Sequence, residues 1–236
     1  MIFIVQPCVP GDSQGLAAVM MGARFGDPHW VFLWQDPSLE DITVAAAERL
    51  PWNLISGRET TRHEKVIDVK TGEIVGYARW TLPSEWAKKN IWPEAQVAEP
   101  TPENCKLFEK KFQAVTDNGR IRGLKTDGSS AFRSRPLEVV DAKIMKDGPY
   151  LTLDYLTTAP AYQRNGVATM LVQSGLKVAD ENSMKAYVMA SPAGFKVYQN
   201  NGFKLVETVS VDYRKYGGSE PMVHHFMVRD PVSPKP

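Results

Sequence analysis

The strongest constraint on this chain is a strand that leads through a glycine turn into a helix. Residues 150–158 (YLTLDYLTT) are rich in β-branched and aromatic side chains, which favour a strand, and Pro160 cannot continue a strand ladder. From Gly166 to residue 180 apolar side chains recur at helical spacing, so a helix is predicted to begin there. The intervening loop therefore delivers the chain directly to a helix N-terminus.

This turn is a candidate binding site for an anion. The first N–H groups of a helix have no intrahelical partner, the helix dipole makes that end positive, and glycine lets an anion approach the backbone closely. An ordinary strand-to-helix turn can show the same pattern, so the glycine motif alone does not distinguish an anion site from such a turn. The candidate pyrophosphate cradle, to which the arginine adds charge, comprises Gln163, Arg164, Asn165, Gly166, Val167 and Ala168.

A second motif follows about thirty residues later. Residues 186–190 (AYVMA) are typical of a short buried strand, and Ser191 with Pro192 predicts a helix start with the serine at the N-cap. Gly202 predicts a left-handed C-cap. This puts Tyr198 in the last turn of a short helix between two strands, where a tyrosine is by default a core residue with its hydroxyl at the rim.

Together the two motifs resemble the signature of the GNAT superfamily of acyl-CoA-dependent N-acetyltransferases. They read Thr158-x-Pro160-x-Tyr162-Gln163-x-x-Gly166-x-Ala168 and Tyr198-x-x-x-Gly202-Phe203, in the family's order. The wider pattern, including residues 75–80 and 191–194, looks most like fungal members. Two positions depart from the signature: Ala168 stands where glycine is usual, and Ser191 stands where many members carry asparagine.

The resemblance implies an α/β (α+β) fold, with a mixed, mostly antiparallel seven-stranded sheet flanked by helices and an insertion before the cofactor strand. It also implies acetyl-CoA as the co-substrate. The pantetheine would pair with the backbone of Leu156, Thr157 and Thr158, as strand addition does for peptides. The pyrophosphate would lie over residues 163–169, ending at Thr169, and Ser191 would either cap its helix or reach the cofactor.

The resemblance also implies a direct attack of an amine on the acetyl thioester, without an acyl-enzyme. Tyr198 is then the predicted general acid, because a phenol stays protonated at pH 7 and can donate to the departing thiolate. The alternative is a tyrosine that only packs its ring. Asp154 is the predicted base, on a strand face shared with Thr152, Leu156 and Thr158; a structural aspartate bonded to a neighbouring strand is the alternative.

Aromatic side chains are concentrated near the N-terminus, between helices predicted over residues 12–24 and 38–50, the second ended by Pro51. The family resemblance assigns this segment to the acceptor site, with packing onto the core as the alternative for any one residue. The predicted acceptor-binding residues are Trp30, Phe32 and Trp34, joined by Trp80 from a predicted strand.

The remaining segments complete one predicted domain over residues 1–236. Residues 83–148 are an insertion with a helix at 102–115, capped by Thr101, and a Gly-, Ser- and Lys-rich run at 117–135 that is predicted to be poorly ordered. The other predictions are a hairpin of strands 63–69 and 73–82, strands 204–212 and 222–229, and a tail at 230–236 that frays.

Composition limits the partners. With 236 residues and a net charge of +1, neither nucleic acid nor a membrane is predicted as a partner. Cys8 and Cys105 lack metal-ligand spacing, and the adjacent His224 and His225 point to opposite faces of a predicted strand, so no metal is predicted. The short N-terminal apolar run and the absence of a disulfide pattern predict a cytoplasmic or nuclear location.

The predicted function is acetyl transfer from acetyl-CoA to a primary amine, favouring a small or arylalkyl amine because of the aromatic segment. Two alternatives stay open at this point. One is a non-catalytic acyl-CoA-binding protein on the same fold, which would need neither Tyr198 nor Asp154. The other is a protein or peptide N-acetyltransferase. The oligomeric state is left open.

Overall fold

Nine strands are present in the computed structural model, which describes residues 1–232. Seven of them form one sheet, and β4 and β5 form a separate hairpin. The strands are β1 (Phe3–Pro7), β2 (Thr61–Asp68), β3 (Ile74–Thr81), β4 (Thr116–Asp117), β5 (Arg120–Ile121), β6 (Tyr150–Thr158), β7 (Lys185–Ala190), β8 (Lys204–Val211) and β9 (Met222–Arg229).

The large sheet has the order β1-β2-β3-β6-β7-β9-β8. Every neighbouring pair is antiparallel except β6 and β7, which are parallel. The parallel pair requires a crossover connection, which α7 provides, whereas β2–β3 and β8–β9 are consecutive antiparallel strands joined without one. The prediction of a mixed, mostly antiparallel seven-stranded sheet is confirmed.

Within residues 1–232 eight α-helices flank the strands: α1 (Ser13–Phe25), α2 (Pro28–Val31), α3 (Leu39–Ile55), α4 (Ser84–Ala87), α5 (Pro102–Ala114), α6 (Ser129–Met145), α7 (Val167–Glu181) and α8 (Phe195–Asn200). On one face of the sheet α7 packs across the central strands. On the opposite face α1 covers β3 and β6, while α6 covers β8 and β9. Between α1 and α6 this second face is left to loops.

Two glycines set the close approach of α7 to the sheet. A Cβ on Gly76 in β3 would lie 2.4 Å from Cγ1 of Val167, and one on Gly175 in α7 would lie 2.3 Å from the Trp80 ring. Trp80 is accordingly 0 % exposed, at the centre of the core. The prediction that Trp80 binds the acceptor is therefore corrected: alternation along a strand gives two faces, and this residue points to the one that α7 seals.

Two helices differ from the sequence predictions. α3 continues through Pro51 to Ile55, because the buried side chains of Leu50 and Leu54 hold its last turns onto the core despite the missing hydrogen bond. Within the run predicted to be poorly ordered, the hairpin β4–β5 and the first half of α6 form. The periodicity of α6 is weak because only four of its residues are buried: Ser129, Arg133, Val140 and Ile144.

Other predicted elements are found where they were expected. Thr101 caps α5, its hydroxyl accepting the N–H of Asn104 at 3.2 Å. The C-terminal residues 233–236 lie outside the described part, so the frayed tail is not described there; just before it, the Val232 N–H donates to the Asp180 carboxylate at 2.7 Å. No helix within residues 1–232 is long and apolar enough to cross a membrane.

One buried carboxyl, that of Glu64, makes the stability of the fold depend on pH. Glu64 in β2 lies under α7, where its Oε1 accepts the Ser174 hydroxyl at 2.8 Å and its buried Oε2 has no partner in residues 1–232. Burial raises the pKa of Glu64 from 4.5 to about 7. Its protonated form is therefore favoured in the folded chain, and the stability it contributes is complete below pH 4.5 and lost as the pH rises to about 7.

We predict that Glu64→Gln flattens this part of the stability profile. The amide keeps the acceptor for Ser174 and has no charge to bury, so the variant should match the parent near pH 4.5 and exceed it by about 3 kcal/mol near pH 8. Urea unfolding at several pH values measures this, with the exposed Glu138→Gln on α6 as the control. An unchanged slope between pH 4.5 and 7 in Glu64→Gln would contradict the assignment.

Candidate active site

The site is a gap that opens within the sheet between β6 and β7. These strands pair in parallel only from Tyr150 opposite Lys185 to Leu153 opposite Val188. Beyond that point β6 stays paired with β3 and β7 stays paired with β9, so the two strands diverge. The β7-facing edge of residues 154–158 is therefore free to hydrogen-bond an extended chain that carries amides.

A β-bulge marks the point of divergence. Leu153 pairs with Trp80 and Tyr155 pairs with Arg79, which leaves Asp154 as the extra residue. The bulge shifts the alternation of side chains, so that Leu153 and Leu156 both face α7. Asp154 consequently does not share a face with Leu156 and Thr158, which corrects the prediction from strict alternation.

The Asp154 carboxylate is held by the neighbouring strand. Its Oδ1 accepts the Nε–H of Arg79 at 2.8 Å, and its Oδ2 accepts the hydroxyl of Thr81 at 2.7 Å. Both oxygens thus have donors within the sheet, one of them charged. These contacts favour the structural alternative for Asp154 over a role as base.

The loop after β6 presents an open helix N-terminus. Gly166 is the N-cap of α7 with φ +85°, and no side chain caps the helix. Arg164 also has a positive φ of 65°, and the amide of Asn165 donates to the Gln163 carbonyl at 3.0 Å. A Cβ built on Gly166 would meet nothing within 4 Å, so the space in front of the helix is open. Backbone donors and a helix dipole thus face open space, as a phosphate site requires.

Two threonines at the end of β6 carry unpaired buried hydroxyls. Oγ1 of Thr157 and Oγ1 of Thr158 are covered and have no hydrogen-bond partner in the part of the chain that the structure describes. Buried hydroxyls normally have a hydrogen-bond partner, so these two are available to a ligand at the end of the strand. Next to them Leu156 is half-buried on the α7 side. The donor set of the β6 edge therefore fits a pantetheine-like chain.

Tyr198 approaches the gap from α8. Gly202, at φ +87°, ends the helix as predicted, with the Phe203 N–H donating to the Tyr198 carbonyl at 3.1 Å. The Tyr198 ring is 6 % exposed and fits against Gly194, where a Cβ would come within 2.9 Å of it. Burial raises the pKa of the Tyr198 phenol, and the charge of Arg24 offsets this only in part, so the phenol is protonated at neutral pH.

Ser191 does not cap this helix. The first residue of α8 is Phe195, and residues 192–194 form a turn in which the Ser191 carbonyl accepts the N–H groups of Gly194 and Phe195 at 3.0 and 3.1 Å. The Ser-Pro pattern thus marks the start of a turn rather than of the helix itself. The N-cap prediction for Ser191 is corrected, and the residue is half-buried beside the gap.

The predicted acceptor aromatics mainly pack against other loops. Trp34 is buried and pairs with Leu124 of the insertion through a backbone bridge, and the Trp30 ring lies 5.2 Å from it. Phe32 contacts Tyr213 at 4.9 Å between ring centroids, with the Lys125 ammonium 3.8 Å above its ring. The packing alternative therefore describes Trp34, while Trp30 and Phe32 remain half-buried on the α1–α6 side of the sheet.

Several polar residues near the gap were missed by the sequence analysis. Arg24, in the last turn of α1, donates to the Tyr155 hydroxyl at 3.4 Å and lies close enough to influence Tyr198. Burial lowers the pKa of His224 to about 4, the charge of Arg133 adds to this, and its Nδ1 is buried without a partner in residues 1–232. A single basic residue leaves no periodic pattern in a sequence. The sequence therefore showed only that His224 and His225 are adjacent, without a role for His224.

Two further features of the described chain bear on the gap: its candidate metal ligands and one surface hollow. Within residues 1–232 no group of three or more His, Cys, Asp or Glu side chains is placed to hold a metal ion. A hollow between α3, α5 and the β4–β5 hairpin is lined by Trp52, Phe112 and Thr116, away from Tyr198. The chemistry of the gap rests on backbone amides, a helix terminus and a phenol.

Comparison with known structures agrees with this geometry at the level of the fold. Similar structures include histone acetyltransferase HPA2 and related acetyltransferase from Corynebacterium glutamicum (16% identity, all of both chains, TM-score 0.57). Others are the Drosophila melanogaster polyamine N-acetyltransferase (12%, 97% of this chain and 100% of the other, 0.54) and the PaiA N-acetyltransferase of Thermoplasma acidophilum with coenzyme A (12%, 98% and 99%, 0.50). No curated protein sequence matches the chain significantly.

The family model of the acetyltransferase (GNAT) family matches residues 28–203. This span covers more than half of the chain and includes the gap between β6 and β7, the glycine turn and the tyrosine of α8. The chain therefore belongs to the acetyltransferase (GNAT) family.

Proposed function

We propose that this protein transfers an acetyl group from acetyl-CoA directly to a primary amine of a small molecule. The observation that carries the proposal is the free β6 edge beside the open N-terminus of α7, with Tyr198 at the gap. In that arrangement residues 156–158 pair with the pantetheine amides and residues 163–169 hold the pyrophosphate. We further propose one acetyltransferase domain over the whole chain, a cytoplasmic or nuclear location, and kinship with fungal members of the family.

The reaction needs three things: contact between the thioester and the amine, an acceptor for the amine proton, and a proton donor for the departing sulfur. Binding at the β6 edge brings the thioester and the amine into contact, which replaces a bimolecular encounter. The amine nitrogen bonds to the acetyl carbon, the carbon–sulfur bond breaks, and the amine loses a proton to water or a base. Tyr198 donates its proton to the departing sulfur. A free phenol is already a weaker acid than a thiol, and burial raises the pKa of Tyr198 further, so its hydrogen bond stabilises the developing thiolate before the proton moves.

The acceptor is proposed to be a small amine. The half-buried aromatics Trp30 and Phe32 border the side of the sheet opposite α7, and the structurally similar Drosophila protein is an enzyme that forms N-acetylagmatine. A non-catalytic acyl-CoA-binding protein and a protein N-acetyltransferase are the alternatives. Thiol release measured over a panel of amines and peptides distinguishes all three, because a binder releases no thiol and a protein acetyltransferase requires the peptide.

The cradle is tested by Gly166→Glu. A carboxylate placed at the open N-terminus of α7 repels the pyrophosphate, so acetyl-CoA affinity in calorimetry should fall at least about tenfold. The matched control is Gly72→Glu in the β2–β3 hairpin, because Gly72 also has a positive φ of 74° and open space around it. Equal affinities in the two folded variants would show that the pyrophosphate binds elsewhere.

The general acid is tested by Tyr198→Phe. Loss of the phenol should lower kcat by ~10²- to 10⁴-fold while acetyl-CoA affinity stays within a few-fold of the parent. Tyr150→Phe, in a buried tyrosine on β6 outside the gap, controls for the loss of a buried hydroxyl. If the kcat of Tyr198→Phe is within a few-fold of the parent value when the chemical step limits the rate, water rather than Tyr198 protonates the sulfur.

The role of Asp154 is tested by Asp154→Asn. The amide keeps an acceptor for Thr81 and loses the ion pair with Arg79, so we expect a stability loss of about 0.5–1 kcal/mol and an unchanged pH–rate profile. Thermal unfolding and kcat/KM from pH 5 to 9 measure the two effects. If the fall of kcat/KM at low pH disappears in Asp154→Asn, Asp154 is the base. In that case Arg79→Gln, which removes its charged partner, should shift the pH at which this fall occurs.

A further inference from the structure

We propose that Arg133 binds a carboxylate on the acceptor, so that the preferred substrate is an amine that also carries an acid group. This inference rests on the proposed acetyl transfer and specifies the substrate of the same site. It starts from a cation that the fold buries without an anion. Arg133 lies in the N-terminal half of α6 and is 8 % exposed.

The guanidinium of Arg133 is poorly satisfied within the protein. Its Cζ lies 4.9 Å from the centroid of the Tyr213 ring, and its Nη2 donates to the thioether sulfur of Met222. Nε and Nη1 are buried and have no partner in residues 1–232. The Met222 bond uses one of the two Nη2 hydrogens and a thioether is a weak acceptor, so one edge of the guanidinium remains available to a pair of carboxylate oxygens.

No carboxylate in the described chain lies within 4 Å of this guanidinium. Asp27 is near enough to favour the charged form, but its Oδ1 caps α2 by accepting the N–H of His29 at 2.9 Å. A buried cation without a close anion is strongly unfavourable, so a bound carboxylate would offset a cost that the folded chain otherwise carries. Stacking on Tyr213 explains the orientation of Arg133 but leaves its two nitrogens unpaired.

The position of Arg133 relates it to the acceptor rather than to the cofactor. Its guanidinium stacks on Tyr213, whose ring lies 4.9 Å from the Phe32 ring of the predicted acceptor segment, and it donates to Met222 of β9, the strand that pairs with β7. Arg133 therefore lies beside the aromatic segment proposed for the acceptor and apart from the open terminus of α7. An acid group bound there leaves the amine of the same molecule to face the gap.

Arg133 lies behind the contacts between two chain segments. The Tyr213 hydroxyl is hydrogen-bonded to the His29 ring, and Nε2 of His29 lies 3.9 Å from the exposed Glu220. The Tyr213 ring also lies 4.9 Å from the Phe32 ring, so the His29–Phe32 segment and the connection between β8 and β9 meet at Tyr213. An acceptor that reaches the guanidinium passes between these two segments.

Matched pairs of acceptors test this inference: phenylalanine with phenethylamine, ornithine with putrescine, and arginine with agmatine. The parent should show a higher kcat/KM for the member that carries the carboxylate. Arg133→Gln should lower kcat/KM for that member about 30-fold or more and leave its decarboxylated partner within a few-fold. Arg135→Gln, at an exposed arginine on the same helix, should change neither value.

Two results would overturn the inference: a parent that prefers the decarboxylated amines, or Arg133→Gln reducing both members of a pair equally, as a purely structural role requires. Arg133→Lys, which keeps the charge but not the fork, replaces Arg133→Gln if that variant does not fold. Should no amine release thiol, the proposed function fails by itself. Calorimetry of N-acetylphenylalanine against N-acetylphenethylamine, with coenzyme A bound to parent and variant, then still decides the role of Arg133.

Discussion

The extra residue at Asp154 is the constraint on which the candidate site depends. A bulge leaves one residue unpaired and increases the local twist, so the second half of β6 follows β3 and turns away from β7. The bonds from Arg79 and Thr81 to the carboxylate fix the bulge in place. An aspartate can therefore be essential to a binding site by shaping the strand that forms it, without touching the ligand.

Unsatisfied polar atoms lie both near the candidate site and in the core. Thr157 and Thr158 carry orphaned hydroxyls on opposite faces of β6, while Arg133 and His224 carry orphaned nitrogens on the face opposite α7. Burying such atoms destabilises a fold unless a partner arrives, so those near the site suit ligands that would complete them. The orphaned atoms of Glu64 and Trp80 lie beneath α7, where only the core surrounds them.

Much of the fold was predictable because local signals and the global structure agree. The Gly202 C-cap, the Thr101 N-cap and the strand of residues 222–229 depend on a few adjacent residues, and the sequence predicts each of them. The bulge was not predictable, since an extra residue in a strand is visible only against its partner. The same holds for Trp80 and Arg133, whose environments are made by Gly175 and Tyr213, far away in sequence.

The glycine contacts beneath α7 have a mechanical consequence. Val167 fits a notch at Gly76, and the Trp80 ring fits a notch at Gly175, two contacts that lie about 12 Å apart along the helix axis. One such contact would leave a helix free to pivot, whereas two interlocked points prevent it from both rotating and sliding. The two contacts thereby fix the position of the N-terminus of α7 relative to the edge of β6. The alignment of the anion cradle with the strand edge is thus set by side chains in the dry core, none of which meets solvent.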